Sequence, residues 1–464
     1  MQDVGKIHRY KLGGHNIIID VNSNAVHVAD ELTYDLLSTV MPPFPIKLDE
    51  RTMSKLMRFY TEEEINECYA EIRELFAQDL LYSSDEYAEY ASACVPSPTK
   101  AMCLLVAEDC NLRCKYCFAS GGDYGKGVRT KMELKTAKAA LDFLIKQSAD
   151  RENLEVDFFG GEPLLNWDVV TETVKYGREL GKLHNKNIRF TITTNGLLLD
   201  DEKTDFINKE MSNVVLSLDG RREVHDNMRV TENGKPTYDL VIDKIKDLIK
   251  KRDYKNYYIR GTFTKQNPDF SKDVFALWEE GFDQISVEPV IADSESDFAI
   301  TEKELPAVFA EYEKLAKMLI NQRREDGKHI NFFHFMLDLD AGPCAIKRLR
   351  GCGCGNEYVA ITPDGDIFPC HQFSDKSGAM KMGNIFDGTF NLDMKAEFAA
   401  SHIYNKPDCF ECWAKFYCSG GCAANNWNFG KDIKKPVKIY CELQKKRLEC
   451  AIFLKTEDRV QITD

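Results

Sequence analysis

The sequence predicts an α/β protein built on a partial or complete parallel barrel, with a small domain before it and a cysteine-rich segment after it. Strand and helix patterns alternate from residue 100 to about 310, which is typical of parallel strands joined by crossover helices. β-Branched runs mark short strands near the N-terminus, and from Cys344 onward cysteine and glycine become dense and only short regular elements are expected. These observations divide the chain into 1–95, 96–310, a bridging helical region at 311–343, and 344–464.

The first domain is predicted to combine three short strands with helices. The segments HRYKL, HNIIIDV and AVHVAD carry β-branched runs, with the turn residues 22–24 between the last two. Asp30 is expected to cap a helix that runs to Leu37, and Thr61, followed by three glutamates, opens another. Three strands with helices in so short a segment resemble a winged-helix unit. Residues 83–100 read as a linker, because they contain Pro96 and Pro98.

The barrel is predicted to contain six strand–helix units. The expected strands are 101–107, 154–159, 188–193, 213–218, 257–263 and 284–290. The expected helices are 131–148, 167–183, 201–210, 237–252 and 270–280, with a further amphipathic helix at 305–325. Catalytic groups in such folds lie at the C-terminal ends of the strands.

The composition of the chain limits the classes of function that it can have. The chain has 464 residues, 43% of them hydrophobic, and a formal net charge of −14, which argues against a general nucleic-acid binder. No secretory signal and no membrane-spanning apolar run is recognisable, so a reducing cytoplasm is expected, where disulfides are rare. The 16 cysteines are therefore interpreted mainly as metal ligands. Buried structural thiols are the favoured interpretation for four of them: Cys68, Cys94, Cys103 and Cys450.

The first cysteine group, CNLRCKYCF, has C-x3-C-x2-C spacing and follows the first predicted strand. Its ligands are Cys110, Cys114 and Cys117. Structural zinc sites use four ligands, usually in C-x2-C pairs, so this triple is better suited to a four-iron cluster with one open iron. The spacing resembles that of the radical SAM superfamily. The resemblance implies that the open iron binds S-adenosylmethionine (SAM), which is cleaved to a 5′-deoxyadenosyl radical, with these three cysteines as the catalytic ligands.

The same resemblance implies SAM contacts at the ends of the predicted strands. Segment 159–163, FGGEP, is similar to the glycine-rich SAM motif of the superfamily, and segments 193–196 and 217–220 end the next two strands. Arg260 is expected either to pair with the SAM carboxylate or to form a structural ion pair. Glu288 ends the sixth predicted strand, and the choice between a role in the site and a structural role is open for it as well. The implied SAM-binding residues are Phe118, Gly160, Gly161, Glu162, Pro163, Thr194, Asn195, Ser217, Asp219 and Arg260.

The second cysteine group resembles the SPASM extension of radical SAM peptide maturases, which binds two auxiliary 4Fe–4S clusters. The pattern consists of G-x4-C at Gly365 and Cys370, then C-x2-C-x5-C-x3-C, then a last cysteine. One zinc ribbon would leave too many of these thiols unused. The resemblance implies three 4Fe–4S clusters in all. The implied distal ligands are Cys409, Cys412, Cys418 and Cys441, and the implied proximal ligands are Cys352, Cys370 and Cys422.

Two alternatives stay open for the proximal cluster. Either Cys344 or Cys354 supplies a fourth ligand, or one iron has no protein ligand. The short glycine spacers of GCGCG argue against Cys352 and Cys354 both binding one cluster.

The whole chain resembles the maturases of six-cysteines-in-forty-five peptides, the ranthipeptide maturases, in segments such as HNIIIDVNSNAVHVAD and CGNEYVAITPDGDIFPCHQF. This implies that the N-terminal domain binds the leader of a cysteine-rich precursor peptide and that the enzyme installs intramolecular thioether crosslinks. A flavodoxin or ferredoxin is the implied electron donor, with no nucleic acid and no membrane as partner. His225, Asp226 and Arg229 either line the peptide channel or are solvated loop residues.

Three alternatives compete with this function. A sulfatase-type maturase that forms formylglycine would share the clusters but would not need the N-terminal domain. A redox-sensing iron–sulfur DNA-binding protein would not need the SAM-binding strand ends. A pure electron carrier would have no use for the barrel.

Overall fold

The chain forms an α/β fold with a parallel-strand core, as predicted. The structure, a computed structural model, describes residues 5–339 and 344–463. Parts of three predicted domains, namely residues 1–4, 340–343 and 464, lie outside the described residues. Within the described residues, no helix is both long and apolar enough to cross a bilayer.

The N-terminal unit is a three-stranded antiparallel sheet followed by helices. Its elements are β1 (Ile7–Leu12), β2 (His15–Asp20), β3 (Val26–Ala29), α1 (Glu31–Thr39), α2 (Glu50–Leu56) and α3 (Glu62–Ala77). The strand order is β1-β2-β3, which leaves β1 and β3 at the edges. The Asp30 side chain accepts from the Thr33 backbone N–H, and Thr61 and Glu64 form a reciprocal capping box. All three helices follow the sheet.

The core alternates strands and helices. Its strands are β4 (Ala101–Glu108), β5 (Thr130–Lys131), β6 (Asn153–Gly160), β7 (Asn187–Thr194), β8 (Met211–Ser217), β9 (Tyr257–Phe263), β10 (Gln284–Pro289) and β11 (Asn331–Phe332). Its helices are α4 (Leu134–Gln147), α5 (Trp167–His184), α6 (Asp201–Glu210), α7 (Arg222–Met228), α8 (Tyr238–Lys251), α9 (Ser271–Glu279) and α10 (Leu305–Asp326).

The six long strands are parallel neighbours in the order β4-β6-β7-β8-β9-β10. Beyond them, β11 pairs with β10. In the described part of the chain β4 and β10 are not paired, so the barrel is open. Alternate side chains such as Val156 and Phe158 are buried under the helices. The other set, which includes Asp157 and Thr191, faces the inside of the curved sheet, here called the lumen.

The C-terminal segment adds to this sheet. Its elements are α11 (Ala345–Arg350), β12 (Tyr358–Ile361), β13 (Asp366–Phe368), β14 (Gly383–Asn384), β15 (Thr389–Phe390), α12 (Leu392–Ala399), α13 (Pro407–Phe410), α14 (Lys415–Cys418), α15 (Ala423–Gly430) and α16 (Lys438–Thr463). Strand β12 lies parallel to β4 and continues into the antiparallel strands β13, β14 and β15.

The expectation of only short elements after Cys344 is wrong at α16, which has 26 residues. Its apolar residues are not confined to one face, because the helix packs against α10 on one side and β1 on another. Phe453, for example, contacts Gly13 of the N-terminal unit. This arrangement obscures the periodicity that a surface helix would show. As a result, the C-terminal segment shares the main hydrophobic core through Leu443 and Ile452.

The N-terminal unit is held against the C-terminal segment. The His8 ring stacks on Trp413 with centroids 3.9 Å apart and planes 1° apart, and His8 Nε2 lies 2.9 Å from Glu449 Oε1 in α16. The linker residue Asp85 accepts from Lys415 Nζ at 2.8 Å and from the Tyr404 hydroxyl at 2.7 Å. The unit is thus joined to the loops that follow Cys409 and Cys412.

Candidate active site

Cys110, Cys114 and Cys117 lie in the loop that leaves the C-terminal end of β4. Backbone hydrogen bonds attach this loop to the segment after α7: Arg113 N–H donates to Val230 O at 2.7 Å, and Lys115 N–H donates to Met228 O at 3.0 Å. A β-bridge joins Leu112 to Thr231 in the same place. Because these contacts use backbone atoms, the fold itself positions the three thiols.

His225, Asp226 and Arg229 support this loop, contrary to both sequence-based interpretations. The His225 ring is buried and contacts the Thr237 hydroxyl at 3.0 Å, while the Asp226 carboxylate accepts from two backbone N–H groups, those of Thr237 and Tyr238. Burial lowers the pKa of His225 to about 4, so its ring is neutral at pH 7. The three residues are parts of the scaffold rather than channel walls or solvated loop residues.

A buried ion pair lies beneath the loop. Arg229 Nε is 3.0 Å from Asp219 Oδ2, and the Tyr116 hydroxyl donates to the same carboxylate at 2.7 and 2.8 Å. The Thr262 backbone N–H donates to Asp219 Oδ1 at 3.0 Å. Asp219, predicted to contact SAM, is therefore fully buried and engaged by protein groups. Because Tyr116 lies between two of the ligands, this network fixes the cluster loop from inside the protein.

Cys110 and Cys114 lie where an unliganded thiolate is unfavourable. Burial is the main cause that raises the pKa of Cys110 to about 12 and that of Cys114 to about 11, and the neighbouring thiols add to it. All 16 cysteines are free thiols, so no disulfide accounts for these positions. In the described residues, no three His, Cys, Asp or Glu side chains converge on a single ion. In a four-iron cluster each thiolate binds a different iron, so the three thiols need not converge on a single ion.

The glycine motif packs against this loop more tightly than the sequence suggested. A Cβ on Gly161 would lie 2.2 Å from Asp109 O, and one on Gly160 would lie 2.3 Å from Ala107 O. The Gly161 N–H donates to Ala107 O at 2.7 Å, and the Glu162 N–H donates to Asp109 O at 2.8 Å. The glycines are thus required by the approach of two strand-end loops, in addition to any ligand.

Glu162 joins the second and third strand ends. Its buried carboxylate accepts from the Thr194 hydroxyl at 2.7 Å, from Asn195 N–H at 2.8 Å and from Leu164 N–H at 3.0 Å. Burial raises its pKa to about 7, although these hydrogen bonds oppose the shift. Pro163, at the first position of the short helix that Glu162 caps, is buried as well. Through these contacts Glu162 holds the motif and segment 193–196 together.

The third strand end reaches the cluster loop. The Asn195 side-chain amide donates to Asn111 Oδ1 at 2.8 Å and lies 3.7 Å from the Cys110 sulfur. Ser217 ends β8 and is half-buried beside Arg260 in the next strand. The structure therefore brings most predicted SAM contacts to one edge of the sheet, next to the three thiols.

Arg260 forms an ion pair. Its Nη2 is 3.0 Å from Glu288 Oε2, and the guanidinium is about half exposed to the lumen. Glu288 Oε1 is in turn 3.8 Å from His334 Nε2, whose ring also contacts Arg447 of α16. Of the two roles expected for Arg260, the described contacts are those of the structural pair. Its exposed side chain still faces the lumen.

Sequence reasoning missed an aromatic cluster between the first and second cysteine groups. His371 lies 4.6 Å from the Phe159 ring and 5.6 Å from the Phe118 ring, measured between centroids. Its Nδ1 is buried without a hydrogen-bond partner in the described residues. Since His371 follows Cys370, the aromatic Phe118 and the auxiliary ligands meet at one wall of the lumen. The only sequence signal was the aromatic residue after each motif.

The C-terminal thiols form two groups. Cys354 lies against Cys352 and Cys370, and Cys422 is close enough to interact with Cys352 and Cys370. Contact with Cys354 lowers the pKa of Cys352 to about 6. The GCGCG turn allows this approach because Gly353 and Gly355 both have positive φ, +75° and +71°. Cys344, by contrast, is exposed at the start of α11.

The other four cysteines line one cavity of about 570 Å³. They are Cys409, Cys412, Cys418 and Cys441. Burial raises the pKa of Cys409 to about 12 and that of Cys441 to about 11, and each is close to Cys412 and Cys418. A cavity walled by four thiols is the donor set of a closed iron–sulfur site.

Comparisons with known families agree with this geometry. Residues 104–284 match the radical SAM superfamily, and residues 352–413 match an iron–sulfur cluster-binding domain, SPASM. The chain is a radical SAM enzyme with a SPASM domain. The first matched segment contains Cys110, Cys114 and Cys117, and the second contains Cys352, Cys354, Cys370, Cys409 and Cys412. The remaining thiols of the second cysteine group, Cys418, Cys422 and Cys441, follow the second matched segment.

Two curated relatives of this radical SAM enzyme carry out different reactions. One is the radical SAM cyclopropyl synthase TigE of Paramaledivibacter caminithermalis, 23% identical over 352 residues, covering 70% of this chain and 67% of TigE. The other is the cysteine-type anaerobic sulfatase-maturating enzyme of Clostridium novyi, 25% identical over 363 residues, covering 74% of this chain and 93% of the relative. The names alone thus leave the product of this enzyme open.

Solved structures share the fold. Native anSMEcpe with bound AdoMet and the Kp18Cys peptide superposes with a TM-score of 0.64 at 20% identity, covering 79% of this radical SAM enzyme and 100% of that chain. SuiB of Streptococcus suis, bound to the precursor peptide SuiA, superposes with a TM-score of 0.51 at 18% identity, covering 94% of this chain and 98% of that one. The SuiB match extends over more of the chain.

Proposed function

We propose that this radical SAM enzyme cleaves SAM reductively and installs intramolecular thioether crosslinks in a ribosomally made, cysteine-rich precursor peptide. The observation that carries the proposal is the first cysteine group. It offers three thiols, not four, on a loop fixed by backbone contacts at the edge of a polar lumen. A four-iron cluster held by these three thiols would leave one iron without a protein ligand and therefore able to bind SAM.

When bound, the cluster and SAM supply a 5′-deoxyadenosyl radical that takes a hydrogen atom from the peptide. The residues of the chain hold and orient the reactants. Gly160, Gly161, Thr194, Asn195 and Ser217 form the cradle for SAM, while Glu162 and Asp219 hold that cradle in shape. Phe118 forms an apolar wall beside the third thiol, which helps to exclude water from a reactive intermediate.

The assignment of the auxiliary ligands is part of the proposal. Cys409, Cys412, Cys418 and Cys441 hold the distal cluster, and Cys352, Cys354, Cys370 and Cys422 hold the proximal one. Cys354 is preferred over Cys344 because it lies among the other three thiols, whereas Cys344 is exposed. With all four, the proximal cluster is closed, and the total is three 4Fe–4S clusters.

Residues 1–95 act as the recognition element for the leader peptide in this proposal. Strand β3 offers a sheet edge with Val28 about half exposed, whereas β1 lies against α16. A leader can therefore extend the sheet at β3, where main-chain hydrogen bonds give affinity. The barrel at 96–310, the bridging region at 311–343 and the cluster domain at 344–464 complete the arrangement.

We expect a flavodoxin or ferredoxin to donate the electron. The reducing cytoplasm, in which free thiols and clusters persist, is the expected location.

A second function, formation of formylglycine, is favoured by the sulfatase-maturating relatives, which match over most of their length. The same barrel and clusters would serve both reactions. The N-terminal unit supports the thioether product instead, since a peptide with a leader needs a separate site to bind it. The distinction rests on the product rather than on SAM cleavage.

Co-expression with a short cysteine-rich peptide encoded nearby tests the proposal. The expected product loses two hydrogens per crosslink and loses one alkylatable thiol for each of them. Formylglycine would instead give an aldehyde that reacts with hydrazine, and a carbon–carbon crosslink would leave every thiol alkylatable. Either of these results would contradict the thioether assignment.

Binding of the leader is tested by two proline variants at the β3 edge, His27→Pro and Val28→Pro. Neighbouring residues of an edge strand point their N–H groups in opposite directions, so one variant removes a donor from the open edge and the other a donor that faces β2. We expect only the open-edge variant to lose leader binding while retaining its melting temperature. Equal leader binding by both stable variants would contradict strand addition.

A further inference from the structure

Lys406 is a buried cation in the loop that precedes α13. Only 2% of its surface is exposed, and its Nζ donates one hydrogen bond, to Gly420 O at 3.0 Å. In the described residues it has no carboxylate partner. Lys415, buried to a similar degree nearby, pairs with Asp85 at 2.8 Å. A buried ammonium without a counter-charge is costly, so its position requires an explanation.

The titratable neighbours of Lys406 are cysteines from both auxiliary groups. Cys409 and Cys418 belong to the distal group, and Cys352 and Cys422 to the proximal group. The ammonium therefore lies between the two sites. Both groups become anionic when they bind iron, because thiolates are the ligands. These thiolates are the missing counter-charge.

Local structure fixes the ammonium at this point. Lys406 precedes α13, where its carbonyl accepts from Cys409 N–H at 2.9 Å. Gly420 lies in the turn between Cys418 and Cys422, and a Cβ at that position would be 2.7 Å from the Lys406 Nζ. The glycine thus leaves room for the ammonium in the turn that passes from one cluster to the other.

We propose that Lys406 is a positioning residue that raises the reduction potentials of both auxiliary clusters together. This inference rests on the proposed ligand assignment, but not on the crosslink. Reduction adds negative charge to a cluster, and a nearby cation in a medium of low dielectric stabilises the more negative state. Because one ammonium faces both sites, its removal affects both clusters and leaves the first cluster unchanged.

The test compares Lys406→Met and Lys406→Arg with wild type and with Lys395→Met. Lys395 is a matched control, since it is also buried, at 6% exposure, but it lies over the Phe390 ring, and its charged neighbours among the described residues are Glu357 and Arg151 rather than cysteines. The full-length, reconstituted enzyme is titrated without SAM or peptide, and cluster signals are followed by electron paramagnetic resonance. Iron content is measured on the same samples.

We expect Lys406→Met to lower both auxiliary midpoint potentials by about 59 mV, which corresponds to a tenfold change in the one-electron equilibrium constant. Loss of iron from both auxiliary sites in Lys406→Met would overturn the inference, because it would show that Lys406 is needed to hold the clusters rather than to set their potentials. Lys406→Arg should stay near wild type, as should Lys395→Met. Unchanged potentials at full iron content in Lys406→Met would overturn the inference, as would an equal shift in Lys395→Met.

Failure of the proposed function gives a different result. A wild-type enzyme with about four irons and no auxiliary signals would remove both the ligand assignment and the role of Lys406. A wrong crosslink product would leave this titration unaffected, because no peptide is present.

Discussion

The first cysteine group and the two C-terminal groups reach their positions in different ways. Around Cys110, Cys114 and Cys117, backbone hydrogen bonds, two packed glycines and a buried ion pair define the loop without any metal. Around the auxiliary groups the elements are short: α13 and α14 have four residues each, and β14 has two. Buried thiols and the buried cation Lys406 lie between these elements. The barrel thus preorganises its site, whereas under the proposed function we expect the C-terminal sites to depend on the clusters for their order.

The largest expected effect is on SAM cleavage, and it follows from changes in the first cysteine group. Replacing Cys110, Cys114 and Cys117 by Ala should abolish SAM cleavage to 5′-deoxyadenosine, because the cluster with the open iron is lost and the proposed auxiliary clusters are fully ligated by protein. The fold should persist, since backbone atoms hold the loop. Product formation is measured by chromatography, and the fold by circular dichroism. The control is Cys68→Ala, in the N-terminal unit. Any residual SAM cleavage by the triple variant would refute the cluster assignment.

The second prediction concerns the two auxiliary cluster sites of the C-terminal segment. The reconstituted wild type should contain about twelve irons, from three four-iron clusters. Cys354→Ala should lose about four of them, because Cys354 lies among the proximal thiols. Cys344→Ala should retain all of them, because Cys344 is exposed. Iron and sulfide analysis checks both variants. Iron loss in Cys344→Ala instead would reverse the assignment.

The third prediction tests the ion pair beneath the first loop. Arg229→Met leaves Asp219 buried without its cation, which should cost about 3–5 kcal/mol of unfolding free energy. Arg260→Met breaks a pair in which the arginine is about half exposed, and should cost about 0–1 kcal/mol. Denaturant unfolding of the apo proteins measures both values. Similar costs for the two variants would mean that the network does not hold the loop.

The fourth prediction tests the close approach of the glycine loop. Gly161→Ala places a methyl group against Asp109 O, so we expect about 1–3 kcal/mol of destabilisation and a loss of SAM affinity. Gly430 lies in α15, where an added Cβ would be 3.7 Å from its nearest neighbour, Lys435 O. Gly430→Ala should therefore leave SAM affinity unchanged. Equilibrium dialysis with labelled SAM measures the difference between them.

The last prediction concerns the pH dependence of stability. Glu162 has a folded-state pKa of about 7, above its ordinary value of 4.5, so the folded state binds more protons than the unfolded state between these values. The stability of the wild type should therefore fall as pH rises from 4.5 to 7, by up to about 1.4 kcal/mol per pH unit from this group. Glu162→Gln should remove that part of the slope. Denaturant unfolding at several pH values measures the unfolding free energy of both proteins. If Glu162 does not titrate in this range, the plots of unfolding free energy against pH for wild type and Glu162→Gln will be parallel.

Much of the barrel could be predicted because its signals are local. The strand and helix predictions agree with the observed bounds to within about three residues, and the capping roles of Asp30 and Thr61 are present. Helix α16 was missed because its apolar residues face several neighbours, and β12 because its partner strand β4 lies about 250 residues earlier. Long-range pairing leaves no local pattern.

Within the site, the thiols and glycines were identifiable by spacing, but the roles of their neighbours were not. Asp219 and Arg229 form one buried pair only because the segment after α7 folds back along the cluster loop. The placement of Cys354 depends on two positive-φ glycines that spacing alone cannot reveal. His371 carried no motif of its own, and its position directly after Cys370 did not reveal that it lies beside Phe118.

The stack of His8 on Trp413 has one further consequence under the proposed function. It fastens the leader-binding unit directly beside Cys412, so the distance from a bound leader to the lumen is set by the protein rather than by a tether. Such an enzyme would select its target residues by their distance along the peptide from the leader. Residues at a fixed count from the leader would be reached, whatever the sequence between them.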